Sequence, residues 1–102
     1  MNKQKAKNML GLAMRAGKII SGEELVLRDI RQQKVPLVFV ASDASQNTQK
    51  KIKDKGKFYH ATVLDSFTAD EIIQSIGKPR MVVGVVDHGF ARRIKELLSE
   101  EL

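Results

Sequence analysis

The chain has no cysteine and no tryptophan, and only one tyrosine, two prolines and two histidines in 102 residues. Without a thiol, a disulfide framework, a zinc knuckle, an iron–sulfur site and a thiol nucleophile are all excluded. His60 and His88 alone match no established metal-ligand spacing. They read as surface or strand-edge residues, and no catalytic residue, metal or cofactor is assigned. No apolar run approaches the roughly 18 to 20 residues that span a bilayer. The stretch from Met1 to Lys7 is polar and lysine-rich with no apolar segment behind it, so a cytoplasmic protein with no membrane partner is expected. Linkers and low-complexity segments are lacking too. A chain of this size holds one core, which predicts a single domain over 1–102 and leaves little room for most enzymes that bind both cofactor and substrate.

What is present is a balance of 42% hydrophobic and 29% charged residues, which predicts a soluble folded chain rather than a disordered one. Eighteen Lys and Arg against 12 Asp and Glu leave a formal charge of +6. On so small a body that excess favours a polyanionic partner, of which nucleic acid is the commonest.

Ala6, Met9, Leu10, Ala13 and Met14 recur at intervals of three and four, which predicts an amphipathic helix from Lys3 to Ala16, ended by Gly17. Ile19 and Ile20 make a very short strand. Ser21 and Gly22 before Glu23 and Glu24 read as a helix start, because carboxylates complement the free N–H groups of a first turn, and this helix runs to about Gln33. Three apolar strands follow, Leu37 to Ala41, Ala61 to Leu64 and Met81 to Val86, each leading into an aspartate, and the aspartates stand 22 residues apart. Helices are expected from Ser45 to a stop at Gly56, from Thr68 to Ile76 with Thr68 and Glu71 as a capping box, and from Phe90 to Leu102. Strands alternating with helices predict a three-layer α/β/α sandwich around a small mixed sheet of about four strands.

Asp43, Asp65 and Asp87 allow two readings. Ligands of open α/β sheets bind at the carboxyl ends of strands, so three carboxylates there could hold Mg²⁺ for a phosphoryl-transfer or nucleotide-handling enzyme. Each aspartate could instead cap the helix that follows it, and this is the favoured reading, since no glycine-rich phosphate loop follows any strand. Lys50, Lys51, Lys53, Lys55 and Lys57 fan around a helix as a solvated face that attracts phosphate without specificity. Two other segments carry more. In Lys18 to Gly22 a strand turns into a helix through a glycine, presenting backbone N–H groups at the positive end of the helix dipole. In Gly77, Lys78, Pro79, Arg80 and Met81 two cations flank apolar atoms, a combination able to hold a phosphate backbone while covering an unstacked base. On spacing alone each is also an ordinary turn.

The order Gly-Leu-Ala-x-Arg-Ala-Gly-Lys (Gly11 to Lys18), Ser21-Gly22-Glu23-Glu24 with Arg28, Val38 to Ser45, Ile76-Gly77-Lys78, and Val83-Gly84-Val85-Val86-Asp87-x-Gly89-Phe90-Ala91 resembles a known family. It is that of the kink-turn RNA-binding ribosomal proteins of the L-seven-Ae and L-thirty-e type, and within it the short bacterial YlxQ-type branch. The resemblance implies an α/β/α sandwich and an RNA partner, a kink-turn with tandem sheared G·A pairs and an extruded base, with ribosomal RNA as one candidate; a monomer is expected. It also implies which residues touch RNA. The family's Gly-x-Asn-Glu-x-x-Lys pattern falls on Gly22, Glu24, Leu25 and Arg28, with Glu24 in place of the usual Asn and Leu25 in place of Glu. A register shifted by one, with Glu24 on the family's Glu, is the alternative. The family's second contact, a loop that covers the extruded base, falls on Gly77, Lys78, Pro79, Arg80, Met81 and Val82, and Lys18 matches a basic position near the phosphates. The expected contact set is therefore Lys18, Ser21, Gly22, Glu23, Glu24 and Arg28 with that loop.

Overall fold

Helices form where apolar residues recur every third or fourth position, and strands where apolar runs are short and β-branched. The computed structural model of the protein describes residues 2–99. In chain order its elements are α1 (Asn2–Arg15), β1 (Ile19–Ser21), α2 (Glu23–Arg31), β2 (Leu37–Val40), α3 (Gln46–Phe58), β3 (Thr62–Leu64), α4 (Ala69–Ile76), β4 (Val82–Val85) and α5 (His88–Ser99). The expected end of the last helix, from residue 100 to Leu102, lies outside the described residues.

The sheet is mixed, in the order β1-β4-β2-β3, with β2 and β3 parallel and β4 antiparallel to both of its neighbours. Every residue of the two central strands is buried, whereas the edge strands are half-buried. α1 packs on α4 and α5, and α2 packs on α3, so helices cover both faces in a three-layer sandwich. Phe39 of β2 and Phe67, both almost wholly buried, meet at a ring-centroid distance of 4.9 Å at the centre of the core. Full burial of such a ring stabilises by about 2 kcal/mol, and an aromatic pair adds roughly 1 kcal/mol.

The capping box of α4 forms as expected: the Thr68 hydroxyl accepts from the Glu71 N–H, and the Glu71 carboxylate accepts from the Thr68 N–H. At the end of α1, Lys18 N–H donates to Ala13 O and Gly17 N–H to Met14 O, a Schellman motif with Gly17 in the left-handed position at φ 74°. The end of α3 differs from expectation. The helix runs through Gly56 to Phe58, and the left-handed slot is taken by His60 at φ 64°, with Ala61 N–H reaching back to Gly56 O. Gly56 serves packing instead, because a Cβ there would lie 2.3 Å from a Val63 methyl and 3.0 Å from Ala61 O. His60 and His88 are both exposed, as expected, with His88 opening α5 two residues before the expected start.

The aspartates divide their roles. Asp87 caps the helix that follows it, accepting from Phe90 N–H at 2.8 Å. Asp43 caps a different helix from the one expected: it accepts from Ala69 N–H at the start of α4, while Ser45 caps α3. Asp65 caps nothing and pairs with Lys53 at 2.9 Å. Because β4 runs against β2 and β3, Asp87 stands at the opposite end of the sheet from Asp43 and Asp65. The three carboxylates do not converge, and among the described residues no group of three or more His, Asp and Glu is placed to hold a metal ion. The Mg²⁺-dependent phosphoryl-transfer reading loses its geometry. No helix among the described residues is long and apolar enough to cross a membrane.

Candidate functional site

The strand-to-helix turn owes its shape to Gly22. Its φ of 101° and ψ of 141° lie where an L side chain is strained, and as the N-cap of α2 it brings no side chain to cover the helix start. The N–H groups of Glu23, Glu24 and Leu25 therefore have no protein partner among the described residues, and they point along the positive end of the helix dipole. Glu23 and Glu24 compensate part of that field. Lys51 reaches across from α3 to Glu23 at 2.9 Å; its hydrogen bond holds the Glu23 carboxyl below the usual carboxylate range, with a smaller contribution from Thr48 and with burial opposing.

The second segment meets the first. Ile19, Ile20 and Ser21 pair with Val85, Gly84 and Val83, and the ladder ends with Gly22 N–H donating to Val82 O at 2.9 Å. One residue earlier, Met81 O accepts from Ala41 N–H at 2.8 Å. The end of the Gly77 to Met81 loop, where it enters β4, is thus pinned on one side to the turn after β1 and on the other to the residue after β2. Gly77, left-handed at φ 76°, ends α4 and starts the loop, Lys78 and Pro79 are exposed, and Arg80 turns its Nη1 onto Pro79 O. Met81 and Leu25, both 46% exposed, are the large apolar side chains open to solvent at this end of the sheet. Arg28 lies about 9 Å along α2 from the turn, on the face it shares with Glu24 and Leu25, and its Nε pairs with the buried Asp29 at 3.0 Å.

Two of the expected contacts do not join this constellation. Val82 is only 1% exposed, with its side chain in the core, so what it offers the site is a carbonyl rather than an apolar face. Lys18 immediately precedes β1, its carbonyl accepting from Val86 N–H, and stands four extended residues, about 13 Å, from Gly22. The lysine run is also less uniform than a solvated face: Lys50 pairs with Asp54, Lys51 with Glu23 and Lys53 with Asp65. Lys51 is the residue the sequence hid, since 28 positions separate it from Glu23 and nothing local marks the pairing.

Fold and site together define an α/β/α domain in which a glycine-started helix and a pinned, cation-bearing loop sit side by side at one end of a mixed four-stranded sheet. The model of the ribosomal protein L7Ae/L30e/S12e/Gadd45 family matches residues 4–93, and the chain belongs to that family. Within it the chain falls in the YlxQ branch. It is 58% identical over 98 residues to the RNA-binding protein YlxQ of Enterococcus faecium, covering 96% of this chain and 95% of that one. To the RNA-binding protein YlxQ of Bacillus subtilis (strain 168) it is 44% identical over 92 residues, covering 89% of this chain and 92% of that one. Among solved structures, a Bacillus halodurans C protein of unknown function superposes with a TM-score of 0.89 at 38% identity, over 93% of this chain and 97% of that one. The Giardia lamblia 15.5kD RNA binding protein shares the fold with a TM-score of 0.82 at 14% identity, over 97% of this chain and 86% of that one.

Proposed function

We propose that this protein is a non-enzymatic, cytoplasmic, monomeric RNA-binding protein that recognises structured RNA of the kink-turn type, with ribosomal RNA among its candidate targets. The observation that carries this reading is the Gly22 to Val82 hydrogen bond, which sets the α2 start and the Gly77 to Met81 loop side by side. A kinked RNA offers both surfaces what each can bind. The cations Arg28, Lys78 and Arg80 take phosphates, the uncovered N–H groups of Glu23, Glu24 and Leu25 donate to neutral base or sugar oxygens and ring nitrogens at the kink, and Pro79 and Met81 cover a splayed base. Glu24, an acceptor only, takes an exocyclic amino group of a base and repels phosphate, while an amide at that position would also donate. Ser21 shapes the turn as the last residue of β1, and Lys18 contributes only long-range attraction from the far end of that strand. The names of the YlxQ relatives support RNA as the partner class.

The test is a calorimetric titration against a kink-turn RNA, a straight duplex of equal length, and a kink-turn whose sheared G·A pairs are replaced by Watson–Crick pairs. Preference for the first is expected. Equal affinity for all three would overturn the reading.

A further inference from the structure

At the end of the sheet opposite Gly22, α3 finishes at Phe58, followed by Tyr59 as its C-cap and His60. Phe58 is 73% exposed, the most exposed of the large apolar side chains among the described residues. Its ring sits edge-on to Tyr59, with centroids 4.8 Å apart and planes at 76°, so the ring is oriented while most of it stays in water. The hydrogen bond from Thr62 N–H to Pro36 O brings the connection after α3 alongside the connection before β2, which carries Lys34. Lys34 and Lys57 are exposed and Lys55 is half-buried, and none of the three is in an ion pair among the described residues. Asp54, one helical turn before Phe58, is already held by Lys50 at 2.8 Å. An oriented, open aromatic ring thus has Lys55 and Lys57 on its own helix and Lys34 on the neighbouring connection, all three outside the ion pairs of the described residues.

We infer that this patch is a second nucleic-acid surface, on which an unpaired RNA base stacks on Phe58 while Lys34, Lys55 and Lys57 hold the neighbouring phosphates. The size of the apolar surface decides against a protein partner. A stable protein interface needs about 800 Å² from each side, whereas one base stack needs a single ring face and nearby cations. A duplex is unsuited because its bases are already stacked on each other. Choosing RNA over DNA rests on the function proposed above. The two surfaces lie at opposite ends of a body about 30 Å long, so one molecule can grip a structured RNA element and a single-stranded segment at once.

The molecule carries its own reporter, since Tyr59 is the lone tyrosine and there is no tryptophan. Oligouridylate of about eight nucleotides, within the site sizes usual for single-strand binders, should quench Tyr59 emission to saturation. Phe58→Ala should weaken binding of a labelled oligouridylate about five-fold to a hundred-fold, and Phe58→Trp should restore it with a quenched tryptophan. Lys57→Ala should reduce the salt slope by about 0.7. Kink-turn affinity should be unchanged in Phe58→Ala, whose side chain is in water, and a circular-dichroism melt verifies that the variant is folded. Unmoved Tyr59 emission, equal oligouridylate affinity in Phe58→Ala, loss of that affinity in Arg28→Ala instead, tighter binding of oligothymidylate DNA, or a dimer in sedimentation that Phe58→Ala dissolves would each overturn the inference. Loss of kink-turn preference with oligouridylate binding intact would overturn only the function proposed for the other end.

Discussion

The backbone N–H of Gly22 donates to the carbonyl of Val82 at 2.9 Å, closing the last rung between β1 and β4 where β1 gives way to α2. Sixty residues of chain separate the two, yet the bond sets the uncovered first turn of a helix beside the loop that displays Met81. The backbone is fixed where the two segments meet, so the ordering entropy lost when a ligand binds falls on the exposed side chains rather than on the chain that carries them.

Gly22→Ala should weaken both stability and RNA binding. A Cβ there meets nothing within 4 Å, so any cost comes from the φ of 101° alone. Strain of this kind is worth about 1 to 3 kcal/mol, read as a lower urea midpoint at unchanged slope.

Arg28 and Met81 should fail differently. Arg28→Ala should weaken kink-turn binding and flatten the dependence of log K on log salt by about one unit, and Arg28→Lys should preserve the slope. Met81→Ala should lower affinity with the slope unchanged, because it removes apolar cover and no charge. Titrations at several salt concentrations separate the two.

At the end of α3 two substitutions should have opposite signs. Gly56→Ala sets a methyl 2.3 Å from Val63 Cγ2 and should cost about 1 to 3 kcal/mol, part of it recovered in combination with Val63→Ala. His60→Gly should stabilise by roughly 0.5 to 1 kcal/mol, since the residue sits left-handed at φ 64°. Thermal melts of the three variants test the pair.

Acid should loosen α4 through Glu71. The hydrogen bond from Thr68 N–H lowers its carboxyl from the ordinary 4.5, and Lys3 and Lys7 act in the same direction against burial. Above the ordinary value the carboxylate is ionised in both folded and unfolded chains, and the folded state keeps the full contribution. That contribution falls away as pH drops below 4.5 through the lowered folded value. Thr68→Ala, which removes the other half of the box, should cost about 1 kcal/mol at neutral pH. Denaturant midpoints measured from pH 7 down to about pH 3 should show a smaller acid loss in Glu71→Gln than in the parent.

Local physical chemistry set the elements. The spacing of Ala6, Leu10 and Ala13 determined the buried face of α1, Thr68 and Glu71 determined the start of α4, and the apolar runs around Phe39 and Val83 determined strands. The two segments of the proposed site were also legible as candidates, one from its glycine before two carboxylates and one from cations around Pro79 and Met81, and the family resemblance named the same places. Only the tertiary structure decided strand direction. With β4 antiparallel to β2, Asp87 parted from Asp43 and Asp65, and the packing of α2 on α3 brought Lys51 to Glu23. Periodicity reports which face of an element is apolar, but the run of one strand past another is set by packing between residues far apart in sequence, where no local spacing carries a signal.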